Sequence, residues 1–481
     1  MCWHGLIFLW PFATDLALNQ WIAQKKAQFD ELVNAAMDRS VRLAVTGLSQ
    51  SGKTVFINAL THQILHGFHG AGAAHLDVLT QGRFKGSTSL PLHLGDAPRF
   101  PYEQQIKQLT AEQPCWPRAT DGLSEVRLAI RYQPGGLLRR RIQKDAVLQL
   151  DLVDYPGEWL LDLPLLEQSF AQWSAQIHRL CQDEPRASMA KPWLDRVAEL
   201  SPQQPADHAS LAGLHHAYRE FLVLCKSRQG GLSFLQPGGF LVPGKWKHAP
   251  WMHFCPLPEH LLAGPLGQAM QAHFEAYKAH MVMGFQQEHF ARFDRQIVLV
   301  DLLEGLSRGP ARFADMQQAL LAILETFRYG KSSPLGRMLN PSIDKLLFAA
   351  TKCDQVAADQ HEQLARLIGK MVARPANEAA FLGVDIKTIA LASVVCTRTV
   401  MREHEGQKLA FVQGRLKDQA RDVLLYPGAI PSSIPSADEW PGERFQFMAF
   451  EPPRLGGVQG GVLPHMRLDQ TLQFLVGDKF L

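Results

Sequence analysis

The stretch Val41-Arg42-Leu43-Ala44-Val45-Thr46-Gly47-Leu48-Ser49-Gln50-Ser51-Gly52-Lys53-Thr54-Val55 constrains this chain more than any other, because it joins an apolar, strand-like run to a complete G-x-x-x-x-G-K-[ST] loop. Such a loop is a phosphate cradle. Its backbone N–H groups wrap the phosphates of a nucleoside triphosphate, Lys53 reaches the outer phosphates, and the Thr54 hydroxyl holds Mg2+. Gly47 and Gly52 supply the positive φ and the close backbone approach that the nest requires. From Val55 to Leu65 apolar residues recur at helical spacing, so the phosphates face a helix N-terminus and its dipole. The eight-residue pattern alone also describes a glycine-rich turn before any helix. Strand, loop and helix in this order supply the context that the phosphate reading needs.

With 481 residues, 46% of them hydrophobic, the chain fills two or three domains or one core with large insertions. A formal charge of +3 and a pI near 8.4 are too mildly basic to imply a specific nucleic-acid partner. Arg139-Arg140-Arg141 reads as a solvated hairpin end. The cysteines at positions 2, 115, 181, 225, 255, 353 and 396 form no C-x-x-C pair, which fits a reducing, cytoplasmic compartment. His62, His66 and His69 share a helical face at a spacing that suits zinc, but no fourth ligand is evident, and ordinary packing histidines are the simpler reading. The start, Met1 to Ala13, is apolar but lacks a basic lead and is too short to span a bilayer. It is compatible with a contact peripheral to the inner membrane, with a packed lead segment or with a misplaced start.

Five regions follow from composition and periodicity. Residues 1–40 carry the apolar segment and an amphipathic lead helix over Gln24 to Arg39. Residues 41–157 form the first half of a nucleotide domain, with a long, partly irregular connection over 67–122 and a hairpin of strands at about 124–132 and 146–153. Residues 158–294 read as an inserted helical domain, with helices over Leu160 to Leu180, Leu194 to Leu200, Ala209 to Cys225 and His260 to Phe293. Residues 295–400 form the second half: strands Arg295 to Asp301, Lys345 to Ala350 and Thr388 to Ala392 alternate with helices over 310–328 and up to about 374. Residues 401–481 are a Pro- and Gly-rich extension closing in a helix at 467–480 that packs on the core. The expected class is α/β, a P-loop NTPase of the GTPase-like kind with a doubly wound, mostly parallel sheet and a large helical insertion.

Later strand ends narrow the nucleotide. Asp151-Leu-Val-Asp154-Tyr-Pro-Gly157 has D-x-x-G spacing: Asp154 meets Mg2+, usually through water, and the Gly157 N–H senses the γ-phosphate. A plain Asp-x-Pro-Gly turn also fits this string. Thr351-Lys352-Cys353-Asp354 resembles the N-K-x-D guanine motif with Thr in place of Asn; Asp354 accepts from guanine N1–H and the exocyclic amine, and Lys352 stacks its stem on the ring. Ser393 and Val394, after the next strand, occupy the place of the loop that backs the base. Asp301 is a rival metal carboxylate, but only Asp154 is followed by a glycine at the right spacing. The order of the four motifs, each after a strand, is that of a GTPase, and ligands in such sheets bind at the carboxyl ends of strands.

Gly47 to Thr54, Asp154-Tyr-Pro-Gly-Glu-Trp-Leu-Leu-Asp-Leu-Pro164, Phe293 to Asp301, Ile343 to Asp354 and the closing Leu472 to Leu481 region resemble the YcjX-like bacterial P-loop proteins, a likeness that runs from about residue 25 to the C-terminus. The resemblance implies guanine nucleotide binding (GTP and GDP), hydrolysis, and a link to stress response. Lys53, Asp154, Gly157 and Glu158 are the candidate catalytic residues; Gly47, Ser49, Gln50, Ser51, Gly52, Lys53, Thr54, Val55, Thr351, Lys352, Asp354, Ser393 and Val394 the nucleotide contacts; Thr54 and Asp154 the Mg2+ ligands.

Small GTPases place a water-orienting Gln where this chain has Glu158. A carboxylate there is repelled by the γ-phosphate, so Glu158 reads better as a helix cap or switch element, and intrinsic hydrolysis is expected to be slow, accelerated by a protein partner or by self-association. Thr80, Ser87, Thr88 and Ser89 are the candidates for a switch threonine. Two rival readings stand: an ATP-dependent small-molecule kinase whose helical insert holds the acceptor, and a nucleotide-binding peripheral membrane or scaffold module without turnover.

Overall fold

Successive side chains of a strand point to opposite faces, and this fold is built by covering both faces of one sheet. The computed structural model describes residues 40–481 except Ser49, 70–72, 93–96, 119–121, 136–143, 333–342, Leu382, Glu405, 417–418, Ala420, 441–444, Gln446 and 456–461. The apolar start, the expected lead helix and the Arg139-Arg140-Arg141 run lie outside these residues. In chain order the elements are β1 (Ser40–Gly47), α1 (Lys53–Leu65), β2 (Phe84–Leu90), α2 (Tyr102–Leu109), β3 (Ser124–Tyr132), β4 (Ala146–Asp154), α3 (Gly157–Asp162), α4 (Phe170–Leu180), α5 (Arg186–Ala198), α6 (His208–Lys226), α7 (Pro265–Tyr277), β5 (Arg295–Val300), α8 (Leu302–Ser307), α9 (Pro310–Ser332), β6 (Lys345–Ala350), α10 (His361–Phe381), β7 (Asp385–Ala390), β8 (Thr397–His404), β9 (Gln407–Gly414), β10 (Val423–Leu425) and α11 (Leu468–Val476), with shorter helical turns between them.

Seven strands form the main sheet in the order β2-β3-β4-β1-β5-β6-β7. From β4 to β7 all pairings are parallel, whereas β2 and β3 run antiparallel to their neighbours. The carboxyl ends of six strands, all but β3, therefore lie on one edge. The β3–β4 pairing runs from Ser124 opposite Asp154 to Tyr132 opposite Ala146, the hairpin that the sequence suggests.

Alternation decides which helices cover which face. Leu43, Val45, Leu150, Leu152, Ile297, Leu299, Leu347 and Ala349 share a cluster with residues of α1 and α11. Ala44, Val153, Val298, Val300, Phe348 and Ala350 face the other way. The cluster on that side is continuous through Tyr155, Leu160, Trp173, Trp193, Tyr218 and Phe274, so the helices between β4 and β5 share one core with the sheet. Helix α1 is buried nearly all round, and three of its polar residues find partners inside the fold: Asn58 donates to the Thr54 carbonyl at 2.8 Å and to Gln105 at 2.6 Å, His62 Nδ1 lies 3.0 Å from the Tyr102 hydroxyl, and Gln63 donates to the Leu463 carbonyl at 2.6 Å.

The structure corrects several sequence expectations. The 67–122 connection holds strand β2 and helix α2. The helix expected over Leu160 to Leu180 is broken by a 3-10 turn at Leu163–Glu167, where Pro164 lacks the N–H that an α-helix interior needs, and restarts at α4 with a Ser169/Gln172 capping box. Helix α10 extends to Phe381, past Pro375. The stretch after 400 contains a β8–β9 hairpin continued by β10, in register from Thr397 opposite Gly414 to His404 opposite Gln407; Gly406, with φ of 74°, makes the turn. Helix α11 packs on the sheet through Leu468, Leu472, Leu475 and Val476. Arg467 donates to the Ala390 carbonyl at 2.9 Å, and Asp478 pairs with Lys345 at 2.8 Å and Arg295 at 2.9 Å. Among the described residues no helix is long and apolar enough to cross a membrane.

Candidate functional site

The loop between β1 and α1 has the shape of a nest, although its two glycines serve differently. Gly52 takes a positive φ of 81°, which makes it the left-handed N-cap of α1. Gly47 is a matter of space: a Cβ there would collide with the Ser51 hydroxyl and come within 2.9 Å of the Leu299 carbonyl. The second left-handed residue is Gln50, at φ 62°. Ser49 lies outside the described residues. Leu48 N–H donates to the Leu299 carbonyl at 3.1 Å, tying the loop to β5, and Phe56 N–H closes the first turn of α1 on the Gly52 carbonyl at 2.9 Å. The N–H groups ahead of that bond have no partner within the helix and concentrate the positive end of its dipole.

Lys53 reaches across to the end of β4. Its Nζ lies 2.7 Å from Asp154 Oδ1 and donates to the Tyr155 carbonyl at 2.7 Å, with the Asp154 side chain almost wholly buried. Thr54 and Ser51 are buried beside it, and Val55 is half-buried. The Asp154 carboxylate and the Thr54 hydroxyl are hard oxygen donors of the kind that Mg2+ prefers. Gly157 opens α3 directly against the loop, where a Cβ would collide with the Gly47 carbonyl oxygen.

Glu158 does not cap that helix. Pro156 holds the N-cap position, and Glu158 pairs with Lys226 at the end of α6, Oε1 to Nζ 2.6 Å. Burial alone raises the Glu158 carboxyl, but Lys226 and, more weakly, Lys53 outweigh it and hold the group below its ordinary value. Helix α3 is held along its length by residues of the 158–294 segment. Trp159 Nε1 donates to the Val242 carbonyl at 2.9 Å and Gln236 Nε2 to the Leu161 carbonyl. Asp162 accepts from the Gly238 and Gly239 N–H groups at 2.8 and 3.0 Å and from the Tyr277 hydroxyl at 2.5 Å. Burial raises Asp162 to about 7 against those hydrogen bonds.

The second group of candidates sits two strands away on the same edge. Thr351 N–H donates to the Val300 carbonyl at 2.9 Å as β6 ends, and Lys352 takes a left-handed φ of 59°. Lys352 Nζ pairs with Asp301 at 2.5 Å; burial lowers the lysine, yet the Asp301 charge more than restores it, so it stays an ammonium. Asp301 is thereby held at the loop that follows β6 while its Oδ1 caps α8 through the Glu304 N–H at 3.0 Å, and Asp154 is the carboxylate beside Lys53. Asp354 is buried and accepts from the Cys396 N–H at 2.8 Å, the Cys396 thiol at 3.1 Å and the Thr397 hydroxyl at 3.3 Å. Burial pushes its carboxyl above the usual range against those bonds. Ser393 and Val394 are buried just before this contact. Thr80, Ser87, Thr88 and Ser89 stand apart from it: Thr80 ends a short helix, and the others lie on β2, where Ser87 donates to the Ile64 carbonyl.

Residue spacing did not point to Lys226, Cys396 or Thr397. Lys226 reads in sequence as an ordinary basic end to an amphipathic helix, and the other two follow the β7 loop without a motif of their own.

The profile of the YcjX-like family, DUF463, matches residues 41–480. The chain is 39% identical over 464 residues to Ras-like GTPase YcjX of Escherichia coli, an alignment covering 94% of this chain and 99% of that protein. It is 36% identical over 486 residues to Ras-like GTPase YcjX of Shewanella oneidensis, covering 97% and 99%.

Proposed function

This chain belongs to the YcjX-like family, and on that premise we propose that it binds guanine nucleotide and hydrolyses GTP to GDP and phosphate as a slow, nucleotide-dependent switch. The observation that carries the reading is the Lys53–Asp154 pair, which joins the phosphate loop to a strand-end carboxylate three residues before Gly157. In this reading the N–H groups of Gly47 to Thr54 hold the phosphates, and Lys53 exchanges Asp154 for the β- and γ-oxygens. Gly157 N–H meets the γ-phosphate, and Asp354 and Lys352 read the base while Ser393 and Val394 back it. Thr54 and Asp154 would hold Mg2+, which when bound neutralises phosphate charge. Water adds to the γ-phosphorus, the bond to the bridging oxygen breaks, and the water proton ends on the phosphate product. Positioning and charge stabilisation account for the catalysis.

Residues 158–294 act in this proposal as the output segment, since they grip α3 immediately after the γ-phosphate contact. A role in bacterial stress response rests on the family resemblance alone. Measuring phosphate release from GTP and from ATP side by side, without an acceptor, tests the reading. GTP turnover that disappears in Lys53→Ala is expected; a clear ATP preference, or no phosphate release in the absence of an acceptor, would favour the kinase instead.

A further inference from the structure

Lys226 is a lysine of the 158–294 segment that stands at the phosphate end of the site. It lines one cleft with Gly47, Leu48, Gly157 and Glu158. Its side chain is 33% exposed and that of Glu158 15%, so this pair faces the cleft without being sealed in it. The loop that follows Lys226 is anchored to the nucleotide half of the fold. Arg308, at the C-terminal cap of α8, donates to the Arg228 carbonyl, Arg312 of α9 donates to the Gly230 carbonyl at 2.7 Å, and Asp315 accepts from the Ser233 and Phe234 N–H groups at 2.5 and 3.1 Å. The ammonium therefore extends from a fixed base.

Electrostatics give that placement a consequence. In the GTPase reading, on which this step rests, the γ-phosphate meets Gly157 N–H, and the next residue, Glu158, brings a like charge beside it. Two such charges repel unless a cation stands between them. Lys53 is committed to the β- and γ-oxygens, while Lys226 reaches Glu158 from the opposite element. We infer that Lys226 is a second phosphate-site lysine: with GTP bound it moves from Glu158 onto the γ-phosphate oxygens and supplies, from within the chain, the cation that stabilises charge during hydrolysis. When phosphate departs, Glu158 recovers its partner, so the same side chain reports the nucleotide state to α6.

The test uses the full chain with fluorescent GDP, a fluorescent non-hydrolysable GTP analogue, and kcat for GTP. Lys226→Ala is expected to weaken the analogue relative to GDP by about tenfold or more. It should also lower kcat about 10²-fold, with GDP affinity unchanged. Lys226→Arg should recover part of both, and Glu158→Gln, which releases the lysine, should tighten the analogue. An unchanged analogue-to-GDP ratio and kcat in Lys226→Ala overturns the inference. Should that variant lose its thermal transition, Lys226→Arg and Glu158→Gln decide, and wild-type ratios in both overturn it. The wild type separates the two levels: no guanine nucleotide binding sinks the GTPase reading, whereas normal GTP turnover with indifferent Lys226 variants sinks only the role of Lys226.

Discussion

What we propose as the phosphate end and the base end of the site hold their charges in different ways. Around the phosphate loop the partners come from separate elements: Lys53 of α1 with Asp154 of β4, and Glu158 of α3 with Lys226 of α6. At the base end Asp354 is satisfied largely by Cys396 and Thr397 at the entry to β8, and Lys352 by the carboxylate that also caps α8. A cross-element pair with a solvent-facing side can be exchanged for ligand charge. A buried carboxylate bound to its neighbouring loop shapes a surface before any ligand arrives. The first arrangement suits sensing and the second suits recognition.

Substitutions at the two ends should therefore fail differently. The largest effect is expected from Lys53→Ala, a loss of about 10³-fold in kcat, followed by phosphate release, with an unchanged circular-dichroism spectrum. Asp354→Asn should cost guanine about 10²-fold in affinity while admitting xanthine, measured by competition binding. If base preference stays and only the melting temperature drops, Asp354 is a loop staple and the contrast collapses. Gly238→Ala drives a Cβ into the Glu158 carbonyl and should destabilise the protein by about 1–3 kcal/mol in chemical denaturation, with reduced response to the γ-phosphate. Asp301→Ala removes both a helix cap and the Lys352 partner and should cost about 1 kcal/mol by the same measurement.

The smallest effect concerns pH. Asp162 has a folded pKa raised by burial to about 7, above its ordinary value of 3.8. Between those values the native state binds more protons than the unfolded chain, so this group's contribution to stability is fully present at low pH and is lost as pH rises toward 7. Melting between pH 5 and 7.5 should fall by about 2 °C on this account, and Asp162→Asn should flatten that slope. A slope that persists in the variant assigns it to other groups.

The phosphate end was largely legible in the sequence because its geometry is written locally: Gly52 must be left-handed, Gly47 and Gly157 must be small, and Lys53 has a fixed offset from both glycines of the loop. Strand ends were legible because Val298, Val300, Phe348 and Ala350 form continuous apolar runs with their neighbours. Strand β2 was hidden because Phe84-Lys-Gly-Ser-Thr-Ser-Leu90 is a half-exposed edge with no clean alternation. The β8–β9 hairpin had a visible signal, the β-branched Thr397, Thr399 and Val400 followed by Gly406, outweighed by the Pro- and Gly-rich stretch beyond it. The Lys226 contact had none: it joins residues 68 positions apart, since 226 less 158 is 68, and depends on how α6 packs.

The core shared between the sheet and the 158–294 helices carries a mechanical consequence. Trp173, Trp193, Tyr218 and Phe274 belong to the same packed body as Val298 and Phe348. Side chains interlocked at crystal-like density permit sliding of about an ångström or two far more readily than separation. Motion passed from α3 to these helices is accordingly a shear within one interior, and its outer face, not an opening cleft, is where such a displacement would be read.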